Sequence, residues 1–258
     1  MGVHPIEHFR RRLEEFGAYP SGVVPVPAYL PGTAFFAASA GLYRRAGSHL
    51  LPPFPFGGWM FVGHNLDAEG PFRRRLESGH SHGDPARLMR TWQNLYKLLA
   101  KAGVDPRECF FTNAYVGLKE GDDPTGRFPG SGDAAFRQWC AKFLMDQVAV
   151  MRPRLVATLG VDAARFMSSV LPELRDWDRP RLPEPRPRTA VLHSHHFGVV
   201  ALIHPSAHHV SLHRRSYGEA IGLEAEAALL VAATGGSRIS TPLASGPYRA
   251  RGNADPGW

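Results

Sequence analysis

The stretch Val199-Val-Ala-Leu-Ile-His-Pro-Ser206 decides how this chain is read, and Ala207-His-His-Val-Ser-Leu-His-Arg-Arg215 continues it. A short, unbroken apolar run has the length and β-branched content of a strand buried on both faces. Pro205 has no N–H to give to a ladder, so pairing fails there and the chain must turn. His204 therefore stands at the end of a core strand, where a rigid sheet can aim it at a ligand. The cations that follow, Arg214 and Arg215, are placed to hold a polyanion against it.

Working outward, the same strand signature recurs three times. Gly58-Trp-Met-Phe-Val62 leads into Gly63-His-Asn65, Cys109-Phe-Phe-Thr112 leads into Asn113-Ala-Tyr115, and Leu155-Val-Ala-Thr-Leu159 ends at Gly160. Helical spacing separates these runs. Leu88, Trp92, Leu95, Leu98 and Leu99 share one face of a segment closed by Gly103. Phe136, Cys140, Phe143, Leu144 and Val148 share a face of a helix over 133–151, with Asp133 as N-cap. Shorter helices are expected at 5–17, 161–170 and 216–233. Alternating strands and helices predict an α/β fold: a three-layer α/β/α sandwich around a central, mostly parallel four-stranded sheet. Residues 171–188, rich in proline and charge, read as an excursion between elements.

The organisation expected is an N-terminal helical extension (1–50) packed on the core, a main domain (51–233) and a flexible Gly/Ser/Pro-rich tail (234–258). A chain of 258 residues with 43% hydrophobic and 21% charged residues has the make-up of a soluble globular protein. No apolar run approaches the ~20 residues of a membrane span, and the first residues lack a signal peptide's apolar core, so a cytoplasmic, monomeric protein is the expectation. With only Cys109 and Cys140, neither a disulfide framework nor a cluster held by cysteines alone is available. The net charge of +7 favours an acidic partner such as nucleic acid. Arg73 to Arg75 serve either as phosphate contacts or as solvated surface.

In open parallel sheets, ligands bind beyond the carboxyl ends of the strands. Three of the four ends here carry polar groups, which predicts one shared pocket. In this order the strand ends resemble the uracil-DNA glycosylase superfamily, over roughly 58–218. Val62-Gly-His-Asn65 is similar to its first motif, Phe111-Thr-Asn-Ala114 to the strand whose asparagine reads the base, 152–160 to its Pro-x-hydrophobic-Leu-Gly strand, and Ile203-His-Pro-Ser206 to its closing motif.

The resemblance implies hydrolysis of the N-glycosidic bond of uracil, or a related deaminated base, in DNA, without a cofactor. Asn65 would position the water, His204 would donate to the departing base, and Asn113 would read the base edge, with Gly63, His64 and Ser206 also in the binding site. Phe72 is the candidate stacking ring, with Tyr115 and Trp92 as alternatives. The loop after the closing motif would enter the minor groove, through His208, His209, Val210 or Leu212, with Arg214 and Arg215 on phosphates.

The chain departs from the pattern after Asn65, where Leu66 and Asp67 replace the usual proline and its successor. Asp67 has three readings: it activates the water, widens the pocket, or caps the next turn. Two other functions stay open. One is a relative that binds nucleic acid without catalysis. The other is a metal-dependent phosphoesterase built on His80/His82, His193/His195/His196 or His208/His209/His213, although no carboxylate recurs beside them at ligand spacing.

Overall fold

The computed structural model of the chain describes residues 5–25, 54–77 and 90–235. Its centre is a sheet of β1 (Trp59–Gly63), β2 (Cys109–Asn113), β3 (Leu155–Leu159), β4 (Arg188–Leu192) and β5 (His195–Leu202), in the spatial order β2-β1-β3-β5-β4. The pairs β1–β2, β1–β3 and β3–β5 are parallel, while β4 runs antiparallel along the edge of β5. Side chains alternate with period two. Met60, Val62, Phe110, Val156, Val199 and Ala201 enter one core; Trp59, Phe61, Phe111, Leu155, Ala157, Val200 and Leu202 enter the other.

Helices cover both faces, which is why the central strands are mostly apolar. The first core is closed by α1 (Pro5–Glu14), α4 (Ala134–Met151) and α5 (Val161–Val170), through residues such as Phe9, Phe143 and Met167. The second is closed by α3 (Arg90–Ala102) and α6 (Leu223–Ala232), through Trp92, Leu95, Leu229 and Leu230. A further helix, α2 (Glu69–Glu77), follows β1. Asp133 caps α4 by accepting the Phe136 N–H at 2.7 Å. No helix among the described residues is long and apolar enough to cross a membrane.

The sheet has five strands where four are expected. The extra one, β4, has only Ala190 buried, so its sequence shows no apolar run. It is reached by a two-residue hairpin at His193 and Ser194, both with positive φ (45° and 66°). Such a turn matches the twist of the strands but is normally signalled by Asn or Gly. The last helix also begins later than expected, because Ser216–Tyr217 and Ala220–Ile221 first form a tiny antiparallel hairpin. Residues 26–50 of the N-terminal extension and 236–258 of the tail lie outside the described residues, as do Leu88, His80 and His82.

The chain leaves β1 toward β2 on one side, then returns across β1 to β3 on the other. Helix α3 makes the first crossing on one face and α4 the second on the opposite face. The crossings diverge at β1 and β3, and such a switch opens a crevice at the strands' carboxyl ends.

Candidate active site

A cavity of about 970 Å³ occupies that crevice. His64 and Asn65 enter it from the end of β1, Tyr115 from beyond β2, Asp162 and Phe166 from α5, and His204 from the end of β5. The ladder continues past the strands here: Ala114 N–H bonds Gly63 O at 2.8 Å and Tyr115 N–H bonds His64 O at 2.9 Å. Backbone pairing thus fixes the Gly-His-Asn segment against the end of β2.

His204 is held by the turn that follows it. Its Nδ1 accepts the Ser206 N–H at 3.2 Å and lies 2.7 Å from Ser206 Oγ. A backbone N–H can only donate, so Nδ1 carries the lone pair and the ring proton sits on Nε2. Burial, followed by the neighbouring His208 and His64, pushes the ring's pKa down to about 4. His204 is therefore a neutral donor at physiological pH. Asn94 on α3 donates to Pro205 O at 2.8 Å and steadies the turn.

Gly160 makes room for that ring. Its φ of +90° suits glycine, and a Cβ there would lie 3.1 Å from His204 Cβ. The strand that ends without a polar group thereby serves the site by omission.

Under the turn, Glu226 on α6 accepts the Ile203 N–H at 3.0 Å and the Arg215 Nε–H at 2.6 Å. Arg215 also donates to Ala201 O and, at 3.1 Å, to Pro183 O. Burial raises the Glu226 carboxyl above the usual range, with Arg215 and the Ile203 N–H opposing it. This corrects the expectation for Arg215: at 7% exposure it braces the strand end and does not face DNA phosphates.

At the end of β1, Asn65 Oδ1 accepts from His64 Nδ1 at 2.8 Å. Burial lowers the His64 pKa, against the Asn65 bond and the negative charge of Asp162. Asp67 is occupied elsewhere: its Oδ1 accepts the Ala68 N–H at 2.8 Å at the start of α2. Its carboxylate caps a turn, the third of its readings.

Phe72 is also corrected. At 1% exposure it packs on Leu118, with Val24 and Leu66 beside it, and does not line the cavity. Among the described residues the cavity's rings are Tyr115, Phe128 and Phe166, with Tyr115 centred 5.4 Å from Phe128 and 5.0 Å from Phe166. Trp92, the other alternative, is buried in the core beneath α3. Asn113 ends β2 in register with Gly63, is 1% exposed and does not line the cavity.

The loop after Pro205 is helical, with a turn at His208–Ser211. His208 points inward at 8% exposure, bonding the Ile203 backbone, so it is not a surface wedge. His209, Val210 and Arg214 are on the surface, Leu212 is half-buried, and Val210 is an apolar side chain 56% exposed. Arg73 and Arg74 pair with Glu69 and Asp122.

The sequence reading misses the cavity's cationic rim. Arg127, Arg137, Arg165 and Arg175 all border it and are exposed, with Arg165 at 3.4 Å from Asp178. They are scattered through the loop after β2, α4, α5 and the segment beyond, so no local run announces them. Among the described residues no group of three or more His, Cys, Asp or Glu side chains is arranged to hold a metal ion.

Comparison with known protein families bears on these features together. The family profile described as Uracil DNA glycosylase superfamily matches residues 57–217, well over half of the chain. No curated protein sequence matches.

Proposed function

The chain belongs to the uracil DNA glycosylase superfamily, which indicates a DNA glycosylase acting in base excision repair, and on that premise we propose that it removes uracil, or a related deaminated base, from DNA. The observation that carries this reading is the convergence of His204, as a neutral Nε2–H donor, with His64 and Asn65 in one arginine-rimmed cavity. Breaking a glycosidic bond leaves negative charge on the departing base. A fixed, uncharged donor aimed at that charge stabilises it without losing a proton beforehand.

Asn65 orients the attacking water through its amide. Asn113 reads the base edge, since a fixed amide complements N3–H and O4 of uracil and leaves buried groups unpaired against cytosine. Tyr115, Phe128 and Phe166 supply the ring surface for the base. A pyrimidine base alone does not fill about 970 Å³, which fits a flipped nucleotide entering with its sugar and phosphates. The arginines at the mouth suit those phosphates, and Val210 and His209 are placed to fill the gap left in the duplex.

The test is release of base from a uracil-containing oligonucleotide, read as alkali-labile abasic sites with and without EDTA. EDTA-resistant base release, crippled in both Asn113→Ala and His204→Ala, supports the proposal. Strand cleavage abolished by EDTA, or near-normal release by both variants, refutes it.

A further inference from the structure

We infer that His64 is the general base for the water in this reaction, with Asn65 as the residue that holds it in the required tautomer. The inference rests on the glycosylase reading and supplies what that reading lacks. An amide such as Asn65 can orient a water but takes up no proton near neutral pH. The carboxylate expected nearest, Asp67, is engaged on the Ala68 N–H outside the cavity.

His64 meets the requirement. Its Nδ1–H is directed to Asn65 Oδ1 at 2.8 Å, so the basic lone pair is on Nε2. The ring lines the cavity beside His204 and is fixed edge-on against Tyr115, 5.2 Å between centroids and 82° between planes. The two histidines are thus complementary. Asn65 fixes His64 as a proton acceptor at Nε2, while the Ser206 N–H fixes His204 as a proton donor at Nε2. Pairs of titratable groups held in opposite roles are what acid–base catalysis needs.

In the step, His64 Nε2 takes a proton from water as the oxygen bonds C1′. The C1′–N1 bond breaks and its electron pair remains on the base, whose O2 receives the His204 hydrogen bond. The products are a sugar with a 1′-hydroxyl, the base anion and protonated His64, whose proton then neutralises the base. The negative charge of Asp162 favours the imidazolium as it forms. The other ionisable groups facing the ring are His204 and Tyr115, the latter near Arg137. Arg127, Arg165, Arg175 and Asp178 line the same cavity.

The experiment is single-turnover release of uracil across pH by the wild type, His64→Gln and Asp162→Asn, with DNA affinity and thermal melting measured on each. The wild type should show an acid limb whose midpoint lies below that of free imidazole, because burial favours the neutral ring. His64→Gln should lose about 10²–10⁴-fold in rate and lose that limb while still binding DNA. Asp162→Asn should keep the limb and move it to lower pH. A His64→Gln enzyme within tenfold of wild type, limb intact, overturns the inference and leaves the glycosylase reading standing. A limb lost instead in Asp162→Asn assigns the base to that carboxylate and also overturns it. Should His64→Gln fail to fold, nitrogen NMR of the wild type decides: an Nδ1–H tautomer titrating with the acid limb supports the inference, and an Nε2–H tautomer refutes it. A folded, DNA-binding wild type that releases no base defeats the glycosylase reading and the inference together.

Discussion

Replacing Gly160 with alanine should damage His204 without touching it chemically. The residue has φ +90° and ψ 175°, a region almost confined to glycine, where any side chain costs about 1–3 kcal/mol. At roughly 2–4 °C per kcal/mol for a chain of this size, melting should fall by about 2–12 °C. The second effect is positional. The new Cβ would lie 3.1 Å from His204 Cβ, about 0.3 Å inside the 3.4 Å at which ordinary contact begins. The imidazole must shift by several tenths of an ångström. Misplacing a reacting group by about 1 Å costs on the order of 10²-fold, so base release should fall by about tenfold. Gly103→Ala separates the two effects, because Gly103 also has positive φ (+68°) but nothing lies within 4 Å of its missing Cβ. Melting curves and single-turnover release should show both variants destabilised and only Gly160→Ala slowed once folded. Full activity in folded Gly160→Ala would refute the argument that this glycine sets the position of His204.

Two further substitutions test the corrected assignments. Glu226→Ala strands Arg215 as a buried charge without its carboxylate and frees the Ile203 N–H, so thermal or urea unfolding should report a loss of about 3–5 kcal/mol; a loss under 1 kcal/mol would mean the brace is unimportant. Phe72→Ala empties a packed site around Leu118 and should cost about 3–5 kcal/mol, while the fraction still folded at low temperature releases base normally. Unchanged melting with abolished release would restore Phe72 as the stacking ring.

The three-layer fold was legible because its four central strands are buried on both faces and must be continuously apolar. The edge strand β4 escaped because a strand that buries only Ala190, entered between prolines and arginines, carries no such signature. At the site, Asn65 and His204 were legible as polar residues at the ends of apolar runs, and the structure brings both to one cavity. Aromatic roles were not, because the direction Phe72 takes from α2 and the course of the loop that carries Phe128 both depend on tertiary contacts. Nor could neighbouring arginines be told apart. Arg214 is exposed, and Arg215 is buried against the Glu226 carboxylate and the carbonyls of Ala201 and Pro183. A signal existed in Glu226 itself: an acid on the apolar face of Leu223–Ala232 must find a cation. The cationic rim had no signal in sequence, since its four members come together only once α4 and α5 pack around the crevice.

The central claim is that the end of β5 delivers a neutral histidine to a departing base. The most direct measurement is single-turnover release of free uracil from a defined oligonucleotide, in EDTA, by the wild type and by His204→Ala matched for fold and DNA affinity. The account predicts free uracil and an abasic strand from the wild type, with a rate reduced by about 10²–10³-fold in the variant. Equal rates from the two proteins, or cleaved strands without free base, would contradict it.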